Sequence, residues 1–375
     1  MNTPAVDMAP ALELLAIATL LAGAVLALWW WRQRRVAPLS RHVKLAVLTA
    51  FITADLIVFG AFTRLTDSGL GCPDWPGCYG QASPLGASTA IDSAERAMPT
   101  GPVTVTKAWI EMIHRYLAMA VGAMLLALNI VLWRARRALE RLPLWAAAAL
   151  LWVVVQGLFG KYTVTLRLYP AVVTAHLFGG MVLLALLVAQ IQSLRRPPPL
   201  AAARAAALVL ALVALQIVLG GWVSSNYAVL ACRGFPQCNG QWWPPADYAQ
   251  GFTLLRELGR AGGDSYVEFR ALVAIQMVHR LFALLVTVAV LALSIRLWRG
   301  AARRAALGLL SLLAMQMASG LSNVLLDWPL IAALLHTATA AALIALLTAL
   351  AARGSGVARA QTALPTPTGV VQRGA

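Results

Sequence analysis

The sequence predicts an all-α, polytopic membrane protein: two tandem four-helix transmembrane bundles related by a pseudo-twofold repeat, plus one extra N-terminal helix. Three observations predict it. The chain is 60% hydrophobic and only 12% charged over 375 residues, too little charge for a water-soluble surface of that size. Nine apolar runs are long enough to span a bilayer, with basic clusters at alternate ends. The second half of the chain repeats the first at a fixed offset.

Run 11–31 leads the chain. Asp7 and Glu13 stand where a signal peptide would carry basic residues, and no small-residue cleavage site precedes Trp29–Trp31. It therefore reads as an anchoring helix in a unit spanning 1–42. Arg32, Arg34, Arg35, Arg41 and Lys44 follow it. Runs 43–63 and 107–133 flank a loop of mixed charge, 64–106, and Arg134, Arg136, Arg137 and Arg141 follow. Runs 144–163 and 171–194 complete a first bundle, 43–194, and Arg195, Arg196 and Arg204 surround a linker at 195–203. Runs 204–225, 269–298, 305–325 and 330–352 form a second bundle, 204–352. Its first loop is 226–268, and Arg296, Arg299, Arg303 and Arg304 follow its second run. The tail, 353–375, carries Arg353, Arg359 and Arg373 and reads as disordered from its Gly, Thr and Pro content.

If every run crosses once, all the basic clusters share one side, which is the cytoplasmic one. The N-terminus and the loops 64–106 and 226–268 then lie outside, and the C-terminus inside. The net charge of +16 orients the chain and, lacking a basic stripe, does not point to nucleic acid. No Arg/Ser-rich amphipathic start is present, which favours a bacterial cytoplasmic membrane.

The duplication is exact in several places. Cys72 and Cys78 recur 160 residues later as Cys232 and Cys238, His176 as His336, and Gln156 with Gly160 as Gln316 with Gly320. Glu-Met-Ile-His-Arg at 111–115 recurs as Gln-Met-Val-His-Arg at 276–280. Equivalent positions are four spans apart, so the repeat is parallel.

His114, His176, His279 and His336 each lie a few residues inside the outer end of an apolar run; His42 is the fifth histidine. Ionisable groups at membrane depth are costly and serve sites inside a bundle. Imidazoles on facing helices suit axial ligation of haem iron, so two pairs predict two porphyrins. A lone histidine would more readily bond a carbonyl across a helix interface. Four at matched depth in repeated motifs favour haem. Arg115 and Arg280 are placed to meet a propionate or to snorkel towards headgroups.

The halves differ at one acid. Glu111 precedes His114 by three residues, on the same helix face, and its counterpart is Gln276. A carboxylate beside a haem edge moves protons or stabilises developing positive charge; the competing role is an ion pair with Lys107. Asp55, in the second run, reads as a buried acid on a proton route or paired with a polar neighbour. The segments Cys72-Pro-Asp-Trp-Pro-Gly-Cys78 and Cys232-Arg-Gly-Phe-Pro-Gln-Cys238 are short enough to close disulfides in an oxidising compartment, as structural staples or redox-active pairs.

Gly60-Ala-Phe-Thr-Arg-Leu-Thr-Asp-Ser-Gly-Leu70, the Cys-x5-Cys loop, Glu-x-x-His-Arg and the repetition of the whole closely resemble the CtaA/Cox15 family of haem A synthases, over about residues 43–352. The resemblance implies that His279 and His336 ligate a haem b cofactor. It implies that His114 and His176 flank the substrate, haem O, that Glu111 is the essential acid, and that Cys72–Cys78 is a functional disulfide. The implied reaction oxidises the C8 methyl of haem O to a formyl group through two hydroxylations and loss of water from a geminal diol. The implied partners are a haem O synthase and a quinol or other electron donor, besides membrane lipid; a homo-oligomer stays open. A di-haem membrane cytochrome and a haem carrier are the alternatives. The helix at 11–31 and the second cysteine pair depart from the common family pattern.

Overall fold

The computed structural model describes residues 9–139, 143–262, 265–300 and 302–354. Among these residues eleven α-helices occur: α1 (Ala9–Gln33), α2 (Pro38–Leu65), α3 (Ser88–Ala97), α4 (Val105–Arg134), α5 (Leu144–Thr165), α6 (Pro170–Arg195), α7 (Ala203–Ser225), α8 (Tyr248–Gly251), α9 (Phe269–Arg299), α10 (Arg303–Leu325) and α11 (Leu330–Ala351). A two-stranded ribbon, β1 (Arg260–Gly262) and β2 (Ser265–Tyr266), lies in the second long loop. All but α3 and α8 are long and apolar enough to cross a membrane. The chain is a multi-pass membrane protein. Arg141 and the expected tail from residue 355 onward lie outside the described residues.

Each expected run is a helix, and the largest difference is at the start of α2. It begins at Pro38 rather than 43, because proline in the first turn pre-sets the helical φ and loses no internal hydrogen bond there. Polar Ser40, Arg41 and His42 end the apolar run without ending the helix.

Helices α2, α4, α5 and α6 close a ring in which each packs on the next, and α7, α9, α10 and α11 close another. The rings meet along α2, α6, α7 and α11. Their ends away from the cysteine loops are filled by fully buried leucines, among them Leu125, Leu128, Leu132, Leu187, Leu297, Leu309 and Leu347. Helix α1 lies outside the rings against α4. It buries one stripe, Leu14, Ala18 and Ala22, at four-residue spacing, the face repeat of an α-helix.

At the outer end of the seam, repeat-related positions meet each other. Arg64 Nη2 donates to the Ser224 carbonyl at 2.7 Å, and Tyr227 Oη donates to Asp67 at 2.6 Å. The Arg64 guanidinium lies 4.0 Å from the centre of the Tyr227 ring. Both residue pairs are 160 apart in sequence, so the pseudo-twofold axis passes through this cluster. Burial first, and the Asp67 carboxylate next to its hydroxyl, push the Tyr227 phenol above its ordinary range, against the opposing pull of Arg64. With a raised folded value, any stability from this contact is complete below the ordinary tyrosine pKa near 10 and is lost only as pH rises through the higher one. Tyrosinate absorbance in the late-ionising range should therefore fall by one residue's worth in Tyr227→Phe. A Tyr227→Phe titration superimposable on that of the unaltered protein would contradict this.

Candidate functional site

Each cysteine pair is disulfide-bonded, and all four cysteines are buried. Cys78 and Gln81 exchange backbone hydrogen bonds at 2.8 and 3.0 Å, and Cys238 and Gln241 do so at 2.9 and 3.1 Å. In the first loop the Asp74 carboxylate accepts from the amides of Tyr79 and Gly80, each at 2.6 Å. In the second, Asn239 bonds Arg233 N–H and the Ala231 carbonyl. Gly71 lets the first loop lie flat on α4, since a Cβ there would collide with the backbone of Lys107.

That approach brings the Cys72 N–H to Glu111, whose Oε2 accepts it at 2.8 Å. Glu111 is 3% exposed, and its other oxygen pairs with Arg115. The competing expectation of a pair with Lys107 is corrected: Lys107 Nζ donates to the Gly101 carbonyl at 3.0 Å. Arg115 does not snorkel towards the headgroups. It is buried and donates to the carbonyls of Cys72, Asp74, Pro76 and Gly77. Arg280 likewise grips Cys232, Gly234 and Gln237. A guanidinium carries five N–H donors in one plane, and a tight loop of inward carbonyls one turn above the helix satisfies more of them than the headgroup layer would. Gln276 donates to the Val229 carbonyl at 3.3 Å instead of engaging its arginine. Asp55 also needs correction. It is exposed, beside an open cleft of about 360 Å³ between α2, α6 and α11. Buried Thr53 and Ile57 flank it, and two residues turn a helix by about 200°, which carries Asp55 to the opposite face.

The four histidines share one geometry. Gly60 on α2 faces His114 Cε1, Gly160 on α5 faces His176 Cε1, Gly220 on α7 faces His279 Cε1 and Gly320 on α10 faces His336 Cε1. A Cβ on these glycines would stand 3.0, 3.5, 3.0 and 3.0 Å from the rings. Within each bundle the two histidines are near enough to interact electrostatically. Phe59 stacks on His114, with ring centroids 6.2 Å apart. The larger residue Val at position 220 would press into His279, so Gly220→Val should dislodge the ring and with it any haem the ring holds; overpacking of this kind costs about 1–3 kcal/mol. Reduced-minus-oxidised spectra check it, and an unchanged second-bundle band contradicts it.

Among the described residues no group of three or more His, Cys, Asp or Glu could hold a metal by itself. Paired imidazoles with glycine-lined backs fit an iron whose remaining ligands come from a macrocycle. The buried Nδ1 atoms of His114 and His176 lack hydrogen-bond partners. Residues 43–348 match the family model COX15-CtaA, cytochrome oxidase assembly protein. The chain belongs to that family. It is 36% identical over 307 residues to the heme A synthase of Shewanella oneidensis, covering 79% of this chain and 92% of the relative. It is 34% identical over 350 residues to that of Methylobacterium radiotolerans, covering 86% and 92%. With that of Rhizorhabdus wittichii the figures are 28% over 353 residues, 84% and 95%.

The two bundles of this COX15-CtaA chain treat their histidines differently. In the second, Gln216 Nε2 lies 3.0 Å from His279 Nδ1, Ser319 Oγ lies 3.1 Å from His336 Nδ1, and Gln316 Nε2 lies 3.1 Å from His336 Nε2. Gln216 has Leu56 as its counterpart and Ser319 has Phe159, so the first bundle has no equivalent bonds. Sequence reasoning missed Gly60, Gly220, Gln216 and Ser319 as neighbours of the histidines. The two glycines were detectable through their 160-residue offset. Gln216 and Ser319 carry no such signal, because the repeat does not reproduce them.

Proposed function

We propose that the chain is a haem A synthase, an oxidoreductase converting the C8 methyl of haem O into a formyl group. The relatives' names support this reading, and one observation carries it further: second-bundle histidines are hydrogen-bonded by side chains, whereas first-bundle Nδ1 atoms are not. An acceptor on the non-ligating N–H orients an imidazole and strengthens it as a ligand. Ser319 Oγ can play that part for His336, while the Gln216 amide fixes the orientation of His279, and both suit a resident cofactor. Rings without them suit a haem that enters and leaves. On this reading the 43–194 bundle takes haem O between His114 and His176, and the 204–352 bundle holds haem b between His279 and His336. The 195–203 linker faces the cytoplasm, and loops 64–106 and 226–268 face outward.

When bound, haem b supplies one-electron redox chemistry. Turning a methyl into a formyl group is a four-electron oxidation, R–CH3 + H2O → R–CHO + 4 H+ + 4 e− overall, with O2 as the terminal oxidant, so four protons must leave the substrate side. Glu111 is the acid in position to receive them, on the turn before His114. Its protonation would open the ion pair, and Arg115 would still have four loop carbonyls as acceptors. The disulfide holds that loop in place over the helix. A quinol or other electron donor, a haem O synthase as supplier, and surrounding lipid are the partners of this reading.

Pigment extraction with and without supplied haem O tests it. Haem B together with haem O or haem A is expected, with haem A rising when haem O is given. Two equivalents of haem B alone would favour the di-haem cytochrome. Haem O recovered unchanged under turnover conditions would favour a carrier.

A further inference from the structure

Resting on the synthase reading above, we propose that Gln156 is a specificity-determining residue that hydrogen-bonds an oxygen-bearing substituent on the inner edge of the haem held in the first bundle. Gln156 is 7% exposed, and neither end of its amide has a hydrogen-bond partner. Buried amides are nearly always satisfied, and here a donor and an acceptor are both left over. Their place is informative. Gly160, one turn further along α5, backs His176. The amide itself sits against Gly179, where a Cβ would collide with it, and Trp152 Nε1 holds that stretch of α6 by donating to the Gly179 carbonyl at 2.8 Å. Four residues of helix put Gln156 about 6 Å deeper in the membrane than the His176 level.

A haem with its charged propionates towards the polar face presents its other edge to that depth. Methyl and vinyl groups offer an amide nothing. Haem O carries, where protohaem has a vinyl group, an isoprenoid side chain bearing a hydroxyl, which can both donate and accept.

The repeat supplies the control. Gln316, the counterpart of Gln156, has its Oε1 engaged by the Thr339 hydroxyl, and its Nε2 lies 3.1 Å from His336 Nε2. Thr339 stands where the first bundle has Gly179. One residue of difference thus ties up the amide oxygen in the second bundle and frees it in the first.

The test uses the full-length detergent-solubilised protein with its second-bundle haem in place, titrated separately with haem O and haem B and followed by absorbance. The unaltered protein should bind haem O at least about tenfold tighter. Gln156→Leu should shrink that ratio by about tenfold, the loss of one hydrogen bond to a neutral group, by weakening haem O and sparing haem B. Gly179→Thr should do the same by capturing the amide, as Thr339 does for Gln316. The apolar tail contributes equally in all three proteins and cancels. An unchanged ratio in both variants, with an intact second-bundle spectrum, overturns the proposal. If the leucine variant does not fold, Gly179→Thr decides alone, since the second bundle already accommodates that pair. Failure of the synthase reading would appear separately, as no haem A from the unaltered protein supplied with haem O.

Discussion

Glu111→Gln is expected to lower haem A formation by about two to four orders of magnitude, the range for losing a positioned proton acceptor, while the second-bundle haem spectrum stays unchanged. The substitution installs the residue found at the repeat-related position, Gln276, so the scaffold accepts the shape. What changes is charge. Arg115 would lose its carboxylate partner at a site where Glu111 and Arg115 side chains are 5% and 10% exposed. Breaking a buried pair costs about 3–5 kcal/mol, here softened by the loop carbonyls that remain. A double variant, Glu111→Gln with Arg115→Gln, separates the two effects. Stability should recover in part and activity should not. Near-normal haem A production by the single variant would remove Glu111 from the chemistry, and recovery of activity in the double would reduce it to a partner for Arg115.

His336→Ala is expected to abolish the second-bundle pigment and with it turnover, leaving the first bundle able to take up haem O. The ring is held from two sides, by Ser319 and Gln316, against Gly320, so alanine removes a ligand that nothing nearby replaces. His176→Ala should have the reverse pattern: the second-bundle spectrum persists and haem O is no longer retained. Haem content per polypeptide, measured for both variants, checks this. A full complement of pigment in His336→Ala would mean that the iron, if present, is held elsewhere.

Much of the fold was legible before any coordinates. Nine runs became nine helices because apolar length and flanking arginines are local properties that add along a chain, and the bilayer demands both. The disulfides were legible because five residues with Pro and Gly between cysteines leave the sulfurs little choice. Side-chain partners were not. Arg115 read as meeting a propionate or snorkelling from its place after His114, and no local pattern pointed to its acceptors in a loop 38 to 43 residues earlier. Asp55 looked buried because its run is apolar on all sides, and such a run gives no signal of which face meets the bundle.

The order of residues by itself determined the membrane spans, the doubling of the architecture, the depth of the four histidines and the divergence of Glu111 from Gln276. Only the tertiary structure decided that each histidine rests on a glycine of the neighbouring helix, that Gln216 and Ser319 serve one bundle alone, and that the Gln156 amide is left without a partner. The reason is geometric. Depth follows from counting residues at a fixed rise, but facing follows from rotation of about 100° per residue and from which helix packs alongside.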